Sequence, residues 1–142
     1  MLFRSTDDIL LLERVTGWLK SIGFGSVTVT TPEQHDELIA FTSQLAHVVS
    51  NAYVKSPRAA IHRGFSAGSY RDLTRVARLN ETMWTELFLE NKDNLIAEID
   101  HIVTALQEYK TALENEDAAM LKALLKDGSE RKERIDSPYG EG

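Results

Sequence analysis

The stretch HDELIAFTSQLAHVVSNAYV, residues 35–54, carries no Asp, Glu, Lys or Arg from Leu38 to Val54. The protein as a whole is 27% charged, and a helix at a protein surface normally carries charge on its outer face. On a helical wheel of about 100° per residue, the apolar side chains of this stretch fall on one side, which predicts a core face. That side contains Leu38, Phe41, Leu45, Val48, Val49 and Ala52.

The opposite side of the same helix is polar rather than charged, with Asp36, Ser43, His47 and Ser50, and His35 at its edge. One interpretation is a helix buried on both sides, whose polar groups bond to neighbouring elements. The other is the wall of a binding site, where these groups point into a cleft. One histidine does not decide between them, and the histidines at positions 35, 47, 62 and 101 lack the spacing of a metal site, so we expect no metal.

Composition excludes several functional classes. With 142 residues the chain has the size of about one globular domain, and its net charge of −6 argues against a general nucleic-acid binder. There is no cysteine, which excludes disulfides and thiolate chemistry. The uncharged run is shorter than the roughly 20 apolar residues of a membrane span, and the N-terminus lacks a secretory pattern. We therefore expect a cytoplasmic protein without a membrane or nucleic-acid partner.

Local patterns predict a small α/β unit followed by helices. Apolar spacing predicts a helix over residues 7–22 that ends at Gly23, and the β-branched stretch SVTVT at 26–30 predicts a strand. This unit is too small for a domain, and no glycine-rich phosphate loop of the G-x-G-x-x-G kind occurs in the sequence. Thr31 as N-cap then predicts the start of the uncharged helix, which we expect to reach about Tyr53.

The remaining helices are predicted from caps and apolar periodicity. Ser69 with Asp72 forms a capping box for a helix that reaches about Arg78, and Asn80 caps the next helix, ETMWTELFLEN. Asn115 is expected to cap a last helix. Between these two, a longer helix contains apolar residues at alternating spacings of four and three, a heptad seam that predicts self-association. The seam consists of Leu95, Ile99, Ile102, Leu106, Tyr109 and Leu113.

The segment from Lys55 to Leu79 concentrates positive charge, because Asp72 alone opposes Lys55, Arg58, Arg63, Arg71, Arg75 and Arg78. In the predicted helix, Arg71, Arg75 and Arg78 share one face, where like charges repel unless an anion is near. A solvated basic face with an Asp72–Arg75 pair is one interpretation. The other is a carboxylate or phosphate site, because arginine offers a planar bidentate fork and the preceding GFSAGSY lets backbone N–H groups approach a ligand.

These motifs resemble a known family. HDELIAFTSQLAH, followed by GFSAGSYRDLTRVARLNETMWTELFLENKDNL, is similar to the C-terminal helical domain of prephenate dehydrogenase. That family shows an H-D…S-H-L-P-H helix, then G-G-G-F-[RK]-D-x-T-R, then W-x-x-[IL]-F-x-x-N. SIGFGSVTVTTPEQHD likewise resembles the junction between the family's nucleotide domain and its helical domain. The resemblance covers about residues 20–130.

The resemblance implies a mainly α fold, a helical dimerisation domain of the 6-phosphogluconate-dehydrogenase C-terminal-like type. It would be preceded by the last helix and strand of a Rossmann α/β domain. Residues 1–31 would be this remnant of a nucleotide-binding domain, residues 32–136 the helical domain, and residues 137–142 a frayed tail. Because most of a nucleotide-binding domain is missing, we expect a fragment or an incomplete reading of a longer gene.

The activity that the resemblance implies is NAD-dependent oxidative decarboxylation of prephenate to 4-hydroxyphenylpyruvate, on the route to tyrosine. This chain would contribute the substrate pocket and the homodimer interface, with NAD or NADP bound in the complete enzyme. Without a dinucleotide loop, the chain alone would hold no cofactor firmly, would supply no catalytic residue and would be inactive. The alternatives are a part of an arogenate dehydrogenase and a non-catalytic helical homodimer module.

The resemblance also implies residues of the substrate pocket. Arg75 matches the arginine that binds a substrate carboxylate, His47 the second histidine of S-H-L-P-H, and Trp84 the pocket tryptophan. The other matching positions are His35, Ser43, Gly68 and Asp72. The sequence departs from the family pattern where Gln44 replaces the first histidine, and also at Ala46, Ala67, Ser69 and Tyr70. With alanine at 46 instead of proline, we expect the helix to continue without a kink.

Overall fold

The computed structural model describes residues 2–3, 9–65 and 68–137, which are mainly helical, as predicted. Two compact units divide the chain, residues 1–98 and 99–142. The first contains β1 (Leu2–Phe3), α1 (Ile9–Ser21), β2 (Thr28–Val29), α2 (Pro32–Ile39), a π segment (Ala40–Leu45), α3 (Ala46–Tyr53), a 3₁₀ turn (Pro57–Ala60), α4 (Gly68–Thr74) and α5 (Glu81–Glu90). Helix α6 (Lys92–Glu114) begins in the first unit, and its C-terminal part and α7 (Ala118–Asp136) form the second. Within the described ranges, no helix is both long enough and apolar enough to cross a membrane.

The helix and the strand predicted before residue 31 are both present. Helix α1 ends at Ser21, close to the predicted stop: Gly23, just beyond it, has φ +101°, and the N–H of Phe24 donates to the carbonyl of Leu19. This arrangement needs a positive φ, which glycine adopts without steric cost. Strand β2 is shorter than predicted and pairs in parallel with β1, so that Leu2 lies opposite Thr28.

The uncharged helix begins as predicted but is not an uninterrupted α-helix. Thr31 caps α2, because its Oγ1 accepts a hydrogen bond from the N–H of Gln34 at 3.2 Å. In the π segment the helix has the wider π geometry, in which hydrogen bonds join residues five apart rather than four. The backbone stays helical through Ala46, in agreement with the absence of proline there.

The π segment changes which side chains of the uncharged helix are buried. Leu38 and Phe41, predicted as core, are 60% and 59% exposed, and Ala52 is exposed as well. The buried side chains are Ala40, Gln44, Leu45 and Ser50. A π turn holds more residues than an α turn, so a single wheel of about 100° per residue does not describe both sides of the segment. The predicted core face is therefore wrong at Leu38, Phe41 and Ala52.

The predicted start of α4 is wrong. The helix begins at Gly68, so Ser69 lies inside it and does not act as its N-cap with Asp72. The residues immediately before the helix, 66–67, lie outside the described ranges, and with them part of the GFSAGSY stretch.

The end of α4 is also earlier than predicted, at Thr74. The Thr74 hydroxyl donates to the carbonyl of Tyr70 at 2.7 Å, and a turn follows in which the N–H of Ala77 donates to the carbonyl of Thr74. Such side-chain bonds to the backbone compete with continuation of a helix. Because Arg75 and Arg78 follow the helix, they do not share a helical face with Arg71, and that prediction is wrong.

Helices α5 and α6 follow the predictions. The Oδ1 of Asn80 accepts a hydrogen bond from the N–H of Met83 at 3.0 Å and caps α5. Burial differs along the heptad seam of α6. Leu95 is buried, whereas Leu106 and Leu113 are each 62% exposed. Two of the six seam residues therefore lack cover within one chain.

The cap of α7 is Asp117 and not Asn115. The Oδ1 of Asp117 accepts a hydrogen bond from the N–H of Met120 at 2.9 Å, and Glu116 before it has φ +52°. The N–H of Asp117 donates to the carbonyl of Ala112, whose side chain is buried. Ion pairs four residues apart run along α7, between Lys126 and Glu130, Asp127 and Arg131, and Lys132 and Asp136. Beyond Ser137, the predicted tail lies outside the described residues.

Candidate functional site

His47 lies in the first turn of α3, and its ring orientation is determined by the backbone before it. The Nδ1 atom lies 2.8 Å from the carbonyl oxygen of Ser43. Since a carbonyl only accepts hydrogen bonds, Nδ1 carries the proton of this bond, which leaves Nε2 available to a ligand. The side chain is half-buried.

An aromatic cluster covers one face of this imidazole. The rings of His47 and Trp84 have centroids 4.0 Å apart with planes inclined by 31°. The ring centroid of Phe88 lies 5.3 Å from that of Trp84. Trp84 and Phe88 are one turn apart on α5. His47 and Trp84, which the resemblance assigns to the substrate pocket, are thus in direct contact although they lie 37 positions apart in the sequence.

Gln44 connects the π segment to the end of α5. Its side chain is 5% exposed, and its Nε2 donates to the carbonyl of Leu87 at 3.1 Å. This carbonyl belongs to the last turn of α5, where the helix has no internal donor for it. The Nδ2 of Asn91 donates both to Gln44 Oε1 at 3.1 Å and to the carbonyl of Asp36 at 2.8 Å. Gln44 therefore has a structural role that the sequence did not reveal.

The remaining polar positions of the uncharged helix are placed differently from one another. His35 bonds its neighbour, with Nδ1 2.9 Å from Asp36 Oδ1, and Ser43 contributes its backbone carbonyl to His47. Ser50 is completely buried, and its Oγ has no hydrogen-bond partner among the described residues. The helix is thus neither wholly a site wall nor wholly buried, because Gln44 and Ser50 face the core while His47 remains accessible.

Arg75 lies in the turn after α4 and is exposed. Among residues 9–65 and 68–137, no carboxylate lies within ion-pair distance of it, so the predicted Asp72–Arg75 pair is not formed. A hydrogen bond connects the segment after this turn to α3, since the Nδ2 of Asn51 donates to the carbonyl of Ala77 at 3.0 Å. The sequence analysis did not predict this bond, although an amide in an uncharged helix is a signal for one.

Gly68 and Asp72 lie one turn apart on α4. A methyl group at Gly68 would meet Asp72 Oδ2 at 4.0 Å, an ordinary contact distance. The structure thus brings His47 and Trp84 into contact, whereas His35 lies on α2 and bonds Asp36. Gly68 and Asp72 lie on α4, and Arg75 lies in the turn after it. The substrate-binding roles of these residues remain predictions.

The chain is similar to known enzymes over most of its length. Residues 31–127 match the family described as "Prephenate dehydrogenase, dimerization domain". A cyclohexadienyl dehydrogenase of Zymomonas mobilis is 34% identical over 114 residues, which are 75% of this chain and 38% of that protein. A prephenate dehydrogenase of Bacillus subtilis is 30% identical over 96 residues, which are 64% of this chain and 26% of that protein. The chain therefore spans well under half the length of these relatives.

Solved structures of such enzymes have the same fold. The prephenate dehydrogenase of Aquifex aeolicus, in complex with hydroxyphenyl propionate and NAD+, superposes with a TM-score of 0.75 at 28% identity, over 95% of this chain and 49% of that one. An arogenate dehydrogenase from Synechocystis has a TM-score of 0.77 at 21% identity, over 94% and 51% of the two chains, and shows the shared fold. With residues 31–127 matched and the helical architecture in agreement, this chain belongs to the prephenate dehydrogenase dimerization-domain family.

Proposed function

We propose that this chain contributes a substrate pocket and a homodimer interface to a prephenate dehydrogenase. The complete enzyme would catalyse the NAD-dependent oxidative decarboxylation of prephenate to 4-hydroxyphenylpyruvate, in tyrosine biosynthesis. The observation that carries the proposal is the packing of the His47 ring on Trp84, with Nδ1 engaged and Nε2 available. An imidazole oriented in this way is suited to bind a polar group of a cyclic substrate.

Arg75 supplies the charge that prephenate requires. The substrate carries two carboxylates, and an exposed guanidinium without an ion-pair partner among the described residues can bind one of them with two parallel hydrogen bonds. Lysine at this position would lack the planar fork. In this proposal, His47 and Trp84 orient the ring of the substrate, while Arg75 anchors a carboxylate.

The residues of this chain do not fit a bound dinucleotide. The sequence contains no G-x-G-x-x-G loop, and the parallel strands β1 and β2 are two residues long each. In the complete enzyme, NAD or NADP would be held by a nucleotide domain outside these 142 residues. This chain would bind and orient the substrate, and alone it would hold no cofactor firmly.

The homodimer interface would use apolar side chains that one chain leaves exposed. In the second unit these include Val103 (55% exposed), Leu106 and Leu113 on α6. In the first unit, Leu38 and Phe41 on the uncharged helix are similarly exposed. Monomeric proteins rarely leave extended apolar patches uncovered, and the matched family is named for dimerization.

Binding of hydroxyphenyl propionate to the full 142-residue chain, followed by Trp84 fluorescence in a Trp18→Phe background, tests the pocket. Arg75→Ala should raise Kd about 10- to 100-fold if the charged contact contributes about 1.5–3 kcal/mol, and Arg75→Lys should restore part of the affinity. Arg78→Ala is the matched control, since Arg78 is exposed in the same basic segment.

An Arg75→Ala variant that binds as tightly as the parent would contradict the carboxylate assignment. A parent chain that dimerises but does not bind the probe would favour the non-catalytic dimer module instead.

A further inference from the structure

A cavity lies at the C-terminal end of α3, between that helix, the 3₁₀ turn and α4. It has a volume of about 230 Å³ and is lined by Tyr53, Ser56, Arg58, Ala59, His62 and Tyr70. None of these residues was assigned to the substrate pocket. We call this cavity the Tyr70 pocket.

Aromatic rings form much of the Tyr70 pocket. The rings of His62 and Tyr70 are stacked, with centroids 4.2 Å apart and planes inclined by 29°, and Tyr53 lies 6.1 Å from Tyr70. His62 is held in place because its Nδ1 lies 2.7 Å from the carbonyl oxygen of Ala59, which can only accept a hydrogen bond. Rings that are oriented before a ligand arrives reduce the entropic cost of binding.

Arg58 provides the positive charge of the Tyr70 pocket. The 3₁₀ turn that carries it is capped by Ser56, whose Oγ accepts a hydrogen bond from the N–H of Arg58 at 3.3 Å. The Arg58 side chain has no ion-pair partner within the part of the chain that the structure describes. The nearest charges in the sequence, Lys55 and Arg63, are also positive. The pocket therefore favours an anion.

We propose that the Tyr70 pocket binds a small aromatic carboxylate, with its ring against Tyr53 and Tyr70 and its carboxylate on Arg58. Pockets for drug-sized ligands measure roughly 300–1,000 Å³, so a cavity of about 230 Å³ suits a ligand with a single ring. Inorganic anions would leave the aromatic walls without a partner. Aromatic amines would place a cation beside a guanidinium.

The test is a titration of the full 142-residue chain with phenylacetate, followed by NMR of ¹³C-labelled tyrosine rings. We expect Tyr53 and Tyr70 signals to shift, with no saturable binding of benzylamine or acetate. Arg58→Gln should raise Kd about tenfold or more, because a charge-assisted hydrogen bond is lost. Tyr70→Phe keeps the ring and should bind within about twofold of the parent, whereas Tyr70→Leu should bind several-fold more weakly.

Two matched variants decide where the probe sits. Lys55→Gln removes a neighbouring charge outside the pocket and should leave Kd unchanged, and Arg75→Gln should also leave it unchanged. Loss of binding in Arg75→Gln with retention in Arg58→Gln would overturn the proposal, because the probe would then occupy the proposed prephenate site. Equal binding of benzylamine, or an unchanged Kd in Arg58→Gln, would also overturn it. Because Arg58 is exposed, its substitution should not impair folding.

Discussion

Gln44 illustrates how one buried side chain can connect distant parts of the chain. Its amide donates to a carbonyl at the end of α5 and accepts from Asn91, which in turn bonds Asp36 at the end of α2. A buried amide with both ends bonded stabilises the fold, and an unmatched partner left behind is costly. Gln44 lies three residues before His47, and Leu87 three residues after Trp84, so this bond joins the two segments that carry the ring pair.

Gln44→Leu should lower the free energy of unfolding by about 1–3 kcal/mol, because the Leu87 carbonyl and the Asn91 amide each lose a partner. Urea denaturation of the full chain measures the change. Gln107→Leu makes the same substitution at an exposed position of α6 and should shift stability by less than about 0.5 kcal/mol. Equal effects of the two substitutions would show that the amide bonds contribute nothing specific.

Helix α7 has little burial, so interactions between residues close in sequence matter to it. Most of its side chains are exposed, and ion pairs four residues apart run along its C-terminal half. Exposed pairs of this kind contribute little to stability, because solvent screens them. The N-cap and the helix propensity of individual residues should therefore matter more for α7 than for a helix buried in a core.

Asp117→Ala should cost about 1 kcal/mol, because the N–H of Met120 loses its acceptor. Asn115→Ala is the matched control, since the sequence suggested Asn115 as the cap and its side chain makes no such bond in the structure. Urea denaturation of both variants, with far-UV circular dichroism as the signal, distinguishes them. A larger loss for Asn115→Ala would contradict the observed start of α7.

Gly128→Ala should raise stability by about 0.5–1 kcal/mol, because Gly128 lies inside α7 and an added Cβ would meet nothing within 4 Å. Gly23→Ala should have the opposite effect, since φ +101° at Gly23 is strained for any residue with a Cβ. Thermal unfolding of the two variants measures whether each substitution raises or lowers stability. If Gly128→Ala were destabilising, the middle of α7 would have to pack against something in solution.

At the scale of the whole molecule, exposed apolar surface is the dominant feature. Only five hydrophobic residues are buried among those described: Leu19, Ala40, Leu45, Leu95 and Ala112. Many larger apolar side chains remain exposed, including Leu38, Phe41, Leu106 and Leu113. A second copy of the chain that covered such side chains would add hydrophobic stabilisation of about 25 cal/mol per Å² of apolar surface buried.

We therefore predict a homodimer in sedimentation experiments at roughly ten micromolar and above. Leu106→Asp should weaken the dimer by about 100-fold or more, because burial of an unpaired carboxylate costs several kcal/mol. Gln107→Asp adds the same charge at the adjacent exposed position and should leave the dimer largely intact. A monomeric parent chain would contradict the prediction, and a fully dimeric Leu106→Asp variant would place the interface elsewhere.

Much of the helical architecture could be predicted from the sequence, because the signals that begin and end helices act over a few residues. Thr31 and Asn80 each accept a hydrogen bond from an N–H group three residues away, and Gly23 adopts a positive φ. Such interactions need no knowledge of distant partners. The resemblance of the motifs around them also grouped His47 and Trp84, whose rings are in contact, while their place in a substrate site stays a prediction.

Only the tertiary structure decided which faces of the helices are buried and what the polar side chains contact. Which side chains of the uncharged helix are buried depends on its π segment. The side chain of Gln44 donates to the carbonyl of Leu87, 43 residues along the chain. Arg75 was predicted to lie on a helical face, but α4 ends one residue before it. Burial and long-range hydrogen bonds depend on which elements pack together, and packing is a property of the whole fold, whereas caps and periodicity belong to the local sequence.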